Sequence, residues 1–284
     1  MFRRTMIAAV LCAAVTASVH AQWIKYPAPG VPRTKDGAPV LSGATPRGAN
    51  GKPDLSGIWS TDPTPLEEMD RLFPFLKPYA VPGDDPRMFT KYFMNVFADF
   101  RPDDVPMRPE AAQAFVRRLE SPDTGSEAPT ARCHPAGIPM GDLLPLPRRV
   151  IHTRGLLAVL YEGINPHRLI YLDGRTLPVD PQPAWMGYSV GKWDGDTLVV
   201  ESNGFSERSW LDGMGHPRSE ATRITERMHR RDFGHMEVDV TINDLKLYTR
   251  PFSIRYTQTL VPDTDILEYV CTENEKDRAH LAVK

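Results

Sequence analysis

Excess basic charge, cysteine, metal-ligand spacings and long apolar runs are all scarce in this chain, and each scarcity removes a class of function. The 284 residues carry 34 Lys and Arg against 36 Asp and Glu, with no basic run or stripe. That pattern excludes the electrostatic footprint of a nucleic-acid partner. The one sustained apolar stretch, residues 6–15, is shorter than the ~20 residues a membrane-spanning helix requires. With Arg3 and Arg4 before it and Val19-His-Ala21 after it, the stretch has the form of an export signal cleaved after Ala21. Cleavage would start the mature chain at Gln22. It would also remove two basic residues and no acid, taking the formal charge from −2 to −4. The expected location is therefore periplasmic or secreted, with no transmembrane segment left after cleavage.

The remaining histidines (His134, His152, His167, His216, His229, His235 and His280) show no His-x-His or His-Glu-x-x-His spacing, so no metal site is expected. There is no phosphate-binding glycine loop and no Gly-x-Ser-x-Gly elbow. No cofactor is expected. Of three cysteines, Cys12 leaves with the signal. Cys133 and Cys271 remain as an even pair in an oxidising compartment, either bonded or as two buried thiols.

Proline is abundant but unevenly placed. Of 28 prolines, 21 fall between Pro27 and Pro147. Proline breaks helices and central strands alike, so residues 22–147 are expected to be an irregular segment packed on the rest. Two helical inserts interrupt it. Residues 89–100 carry an apolar stripe at Phe89, Tyr92, Phe93, Val96, Phe97 and Phe100. Residues 108–119 start with Pro109 in the first turn and should bury Ala112, Phe115, Val116 and Leu119.

Beyond residue 147 the apolar period changes from helical to alternating. Nine strand-like runs fall in residues 150–154, 156–161, 168–172, 188–193, 197–202, 221–229, 236–242, 252–260 and 266–271, separated by Gly and Asp turn signals. The expected fold of residues 148–284 is a mainly β, antiparallel, lipocalin-like barrel, with a β-sandwich as the alternative. Asp194-Gly195 should form a tight two-residue turn. No internal repeat aligns.

Rings and ionisable groups concentrate around that hairpin. Trp185, Trp193, Trp210, Tyr171 and Phe205 could line a ligand site, with Arg175 and Glu268 fixing polar groups. On residues 221–229, Glu226 shares the apolar face with Ile224 and Met228. Glu268 lies similarly between Ile266 and Val270. A carboxylate on an inward face is costly unless paired, and the candidates are an acid/base group in a cavity or a structural ion pair. His216, oriented by Asp212, is a second candidate base.

Gly51-Lys-Pro-Asp-Leu-Ser-Gly-Ile-Trp59, the Trp185-Met-Gly motif running on through Gly191-Lys-Trp-Asp-Gly-Asp-Thr-Leu-Val-Val200, and Glu268-Tyr-Val-Cys271 stand in a characteristic order. Together with Cys133-His-Pro-Ala-Gly-Ile-Pro139, they resemble a widespread family of exported bacterial proteins of unknown function. The resemblance implies an exported, β-rich product in which both cysteines sit in family motifs. It carries over no site residue.

The leading expectation is a small-molecule binder for an apolar or aromatic ligand. The alternative is a cofactor-independent hydrolase, isomerase or lyase using Glu226, His216 and Asp212. A third is an envelope protein whose Pro-rich half wraps a partner. An apolar cavity with Glu226 and His216 outside it favours the binder; one holding both favours the enzyme.

Overall fold

The computed structural model describes residues 27–79, 88–121, 127–163 and 166–271. The export-signal reading and His280 lie outside them. Nine strands form a closed barrel in chain order: β1 (Gly57–Thr61), β2 (Arg148–His152), β3 (Leu156–Tyr161), β4 (His167–Tyr171), β5 (Tyr188–Asp194), β6 (Thr197–Asn203), β7 (Arg223–Arg230), β8 (His235–Asn243) and β9 (Phe252–Leu260). Strict alternation of buried and half-buried positions along β8 shows why: one face of each strand is wet and the other faces the core. No helix among the described residues is long and apolar enough to cross a membrane.

The barrel departs from the sequence expectation in three places. First, β4 and β5 are parallel, through Ile170↔Ser189 and Tyr171↔Val190, so the sheet is mixed rather than wholly antiparallel. A parallel pair needs a long crossover instead of a tight turn, and residues 172–187 provide it. Second, the closing strand is β1, from the Pro-rich half, which pairs with β9 through Trp59↔Leu260 and Thr61↔Gln258. Gly57 permits that approach: its φ is +143°, and a Cβ there would meet Leu260 Cδ1 at 2.4 Å. Third, residues 266–271 are not a strand. β9 already has β1 on its open edge, and a closed barrel leaves no edge for a further strand. The segment instead crosses the barrel end as an extended strap, and Glu268 on it is exposed rather than inward.

The Asp194-Gly195-Asp196 turn is displaced by one residue from the expected one. Asp194 pairs with Thr197, leaving Gly195 and Asp196 as the loop. Gly195 takes a φ of +58°, and glycine at the first loop position is the mark of a type II′ hairpin. Asp196 has a further task, since it receives both Nη atoms of Arg47. Arg47 belongs to a short repeat that simple alignment misses: Pro32-Arg33…Gly37-Ala-Pro39 and Pro46-Arg47…Gly51-Lys-Pro53. In each copy the Arg bridges to the second Pro and donates to the Gly carbonyl. Each Arg then clips its turn to a barrel aspartate, Asp263 for Arg33 and Asp196 for Arg47.

Among the described residues, four helices decorate the barrel: α1 (Leu66–Leu72), α2 (Lys91–Met94), α3 (Pro109–Glu120) and α4 (Met140–Leu143). The expected helix over residues 89–100 shrinks to α2. Thr90 caps its start, but Asn95 turns extended, and the Val96 amide is taken by Asp212 at 2.8 Å. A tertiary hydrogen bond overrides the local helical pattern, while Val96 and Phe97 stay buried. α3 forms as expected, but its buried side is rotated. Ala111 is its buried residue, Arg118 turns inward over the Trp210 ring, and Val116 and Leu119 are exposed.

Candidate functional site

Three groups of residues hold the chemistry suggested by the sequence, and the structure separates them. The first is inside the barrel. Glu226 faces inward from β7 and is 3% exposed. Arg168 of β4 donates to both of its carboxylate oxygens, to Oε1 at 3.1 Å and closely to Oε2. The same guanidinium donates to Ser189 at 3.1 Å and to Ser202 at 3.0 Å. Asp142, carried on α4, plugs this end of the barrel. It accepts from the Tyr161 hydroxyl at 2.8 Å and lies 3.7 Å from Arg148 and 3.6 Å from Arg168.

Two cations thus face two carboxylates in a closed interior. Burial pushes the Glu226 carboxyl up and the Arg168 charge pulls it back down. Burial opposes the charge on Arg168 too, but Glu226 outweighs it and the guanidinium binds its proton more tightly than usual. Burial, reinforced by the negative charge of Asp142, raises Tyr161 and Tyr256 well above the ordinary phenol range. A carboxylate this fully engaged is a structural ion pair. Its partner is Arg168.

The second group is His216 and Asp212. The sequence pairing is realised: Asp212 Oδ2 lies 2.6 Å from His216 Nδ1. Asp212 is also fully occupied, accepting from the amides of Val96, Gly215 and His216. The imidazole is packed between aromatic rings, stacked on Phe115 at 4.0 Å and edge-on to Phe97 at 5.0 Å. Asp212 accordingly organises the loop, and His216 is only 4% exposed.

The third group is the rings. Trp185 stacks on His134 at 4.7 Å and carries Arg208 on its ring. Trp193 lies 5.9 Å from His152. Trp210 is buried beneath Arg118, and Phe205 is buried against Arg218. Tyr171 stacks with Tyr188, and Arg175 lies 3.7 Å over the Tyr171 ring. Arg175 is already held by Asp173 and the Tyr188 hydroxyl, so it stiffens its turn in place of clamping a ligand. Each of these rings is engaged with packing partners of its own.

A cavity of about 230 Å³ lies at the barrel end where β3 turns toward β4, beside α4. Its wall is largely apolar and includes Phe93, Met140, Leu144, Leu146, Met186 and Tyr269, with Gly141 and Tyr161 side by side in it. None of the sequence-selected ligand residues lines it, and neither do Glu226 and His216. The sequence signal for this site was indirect. It draws on Pro-rich loop residues and on the terminal strap, neither of which has a readable period. Cys133 and Cys271 form a disulfide, and these two residues lie close in sequence to Thr130 and Tyr269, which face the cavity. The bond therefore ties two walls of the site together.

Comparisons with protein-family models, with curated proteins and with solved structures find no match for this chain.

Proposed function

We propose that this chain is an exported barrel protein that binds a small, mostly apolar molecule in the cavity beside α4. The observation that carries the reading is the cavity wall itself, a pocket lined by Phe, Tyr, Leu and Met around an open glycine. Binding sites for small molecules are concave and predominantly apolar with a few polar groups. An engineered apolar cavity of about 150 Å³ takes a benzene, so 230 Å³ suits a substituted single ring. The apolar character and the position of Glu226 and His216 outside the cavity both favour binding over acid/base catalysis. The signal-like N-terminus and the disulfide favour an oxidising, extracytoplasmic setting.

Gly141 supplies the test. A Cβ added there meets nothing closer than Ala136 and Tyr161 at 3.9 Å, so the backbone tolerates a side chain and the cavity receives it. Calorimetric titration with benzyl alcohol is expected to give a dissociation constant on the order of 0.1–1 mM for so small a ligand. Gly141→Leu is expected to abolish that binding, and Gly141→Ala, a milder filling, to weaken it. Unchanged affinity in both variants would place the ligand elsewhere and overturn the reading.

A further inference from the structure

One carboxylate on the cavity wall is used by nothing described so far. Glu162, the residue after β3, lines the cavity and is 9% exposed. Its Oε2 accepts from the Leu267 amide of the strap at 3.0 Å, which fixes the orientation of the carboxyl group. Among the described residues no Lys, Arg or His forms an ion pair with it. Among the described residues that line the cavity it is the one charged side chain. The buried carboxylates of the barrel interior, by contrast, have cationic neighbours: Glu226 has Arg168, and Asp142 has Arg148 and Arg168.

A buried carboxylate without a counter-charge is costly. Burial pushes the Glu162 carboxyl above its usual range, with the Leu267 amide opposing it only in part. The same cavity presents the rings of Phe93, Tyr161 and Tyr269. Aromatic faces around an acid attract organic cations, through ring quadrupole and charge together. An anionic ligand would meet repulsion from Glu162, with no basic group among the described lining residues to offset it.

We infer that Glu162 makes the cavity selective for a small aromatic or branched amine, whose ammonium group pairs with the carboxylate while its apolar body fills the apolar part of the cavity beside Gly141. The inference rests on the proposed binding function of this cavity and adds the ligand's charge to it. The Leu267–Glu162 hydrogen bond gives the strap its place in recognition: it holds one carboxylate oxygen so that the other is presented to the ligand.

Three probes sharing one ring and differing in charge separate the two claims. Benzylamine, benzyl alcohol and benzoate are titrated in turn into the full oxidised chain and into Glu162→Gln. Glutamine keeps the size and an acceptor for the Leu267 amide, so the fold is retained. Benzylamine is expected to bind at least about tenfold more tightly than benzyl alcohol, the gain typical of a charge-assisted hydrogen bond, and benzoate is expected not to bind. In Glu162→Gln, benzylamine should fall to the level of benzyl alcohol while benzyl alcohol itself is unchanged. Binding of benzyl alcohol without a preference for benzylamine, or a preference that survives in Glu162→Gln, overturns the inference and leaves the cavity reading standing. Failure of all three probes to bind overturns both.

Discussion

Replacing Arg168 with methionine is expected to destabilise the barrel by about 3–5 kcal/mol, because it strands a buried carboxylate. Arg168 is the hub of the interior: it donates to Glu226, Ser189 and Ser202 and faces Asp142. Removing the guanidinium takes away the bidentate partner of Glu226 and the donor that Arg168 offers to Ser189 and Ser202. The double variant Arg168→Met with Glu226→Leu should recover much of the loss, since a buried ion pair is often no more stabilising than apolar residues of similar volume. Urea unfolding of the two single variants and the double variant checks this. A structural pair shows strong non-additivity between the two sites. Additive losses would mean that Glu226 and Arg168 act independently, contrary to the bidentate geometry.

The second large effect is expected at the disulfide. Cys133 and Cys271 are 138 residues apart, so the bond closes a loop containing nearly the whole barrel. In the chain-entropy view, such a long closure is worth roughly 4–5 kcal/mol through the unfolded state. The double variant Cys133→Ser with Cys271→Ser should unfold at correspondingly lower denaturant, with most of the secondary structure retained below the transition. The bond also anchors the strap whose Leu267 amide meets Glu162. Loss of the bond is therefore expected to weaken cavity binding before the barrel itself unfolds. A variant with unchanged unfolding midpoint and unchanged affinity would show that the strap is held without it.

The scaffold was legible in sequence wherever one face of a strand is buried and the other wet. β3 and β9 follow the expected runs closely, and Glu226 was correctly placed on the inward face of β7. What failed is what periodicity does not encode. β1 is a five-residue strand set among prolines, and its pairing depends on a glycine that admits Leu260. Residues 266–271 have a strand's alternation but no free edge to join. The partner of Glu226 lies 58 residues away on β4, beyond the reach of any local pattern. Residue type also misled at the site. Tryptophans drew attention to the hairpin, yet their rings are spent on His134, Arg118 and other packing partners. The cavity is made instead by methionines, leucines, glycines and a single glutamate brought from separate loops. Spacing cannot announce such a site, because no two of its walls share an element's period.

The most direct test of a ligand cavity beside α4 is a crystal of the full oxidised chain soaked with 4-iodobenzylamine. Anomalous scattering locates its iodine without reference to any assumed pose. The expected result is a single strong iodine peak inside the cavity beside α4, with the ammonium end toward Glu162. An empty cavity in a fully soaked crystal, or iodine bound only among the tryptophans of the hairpin, would contradict the account.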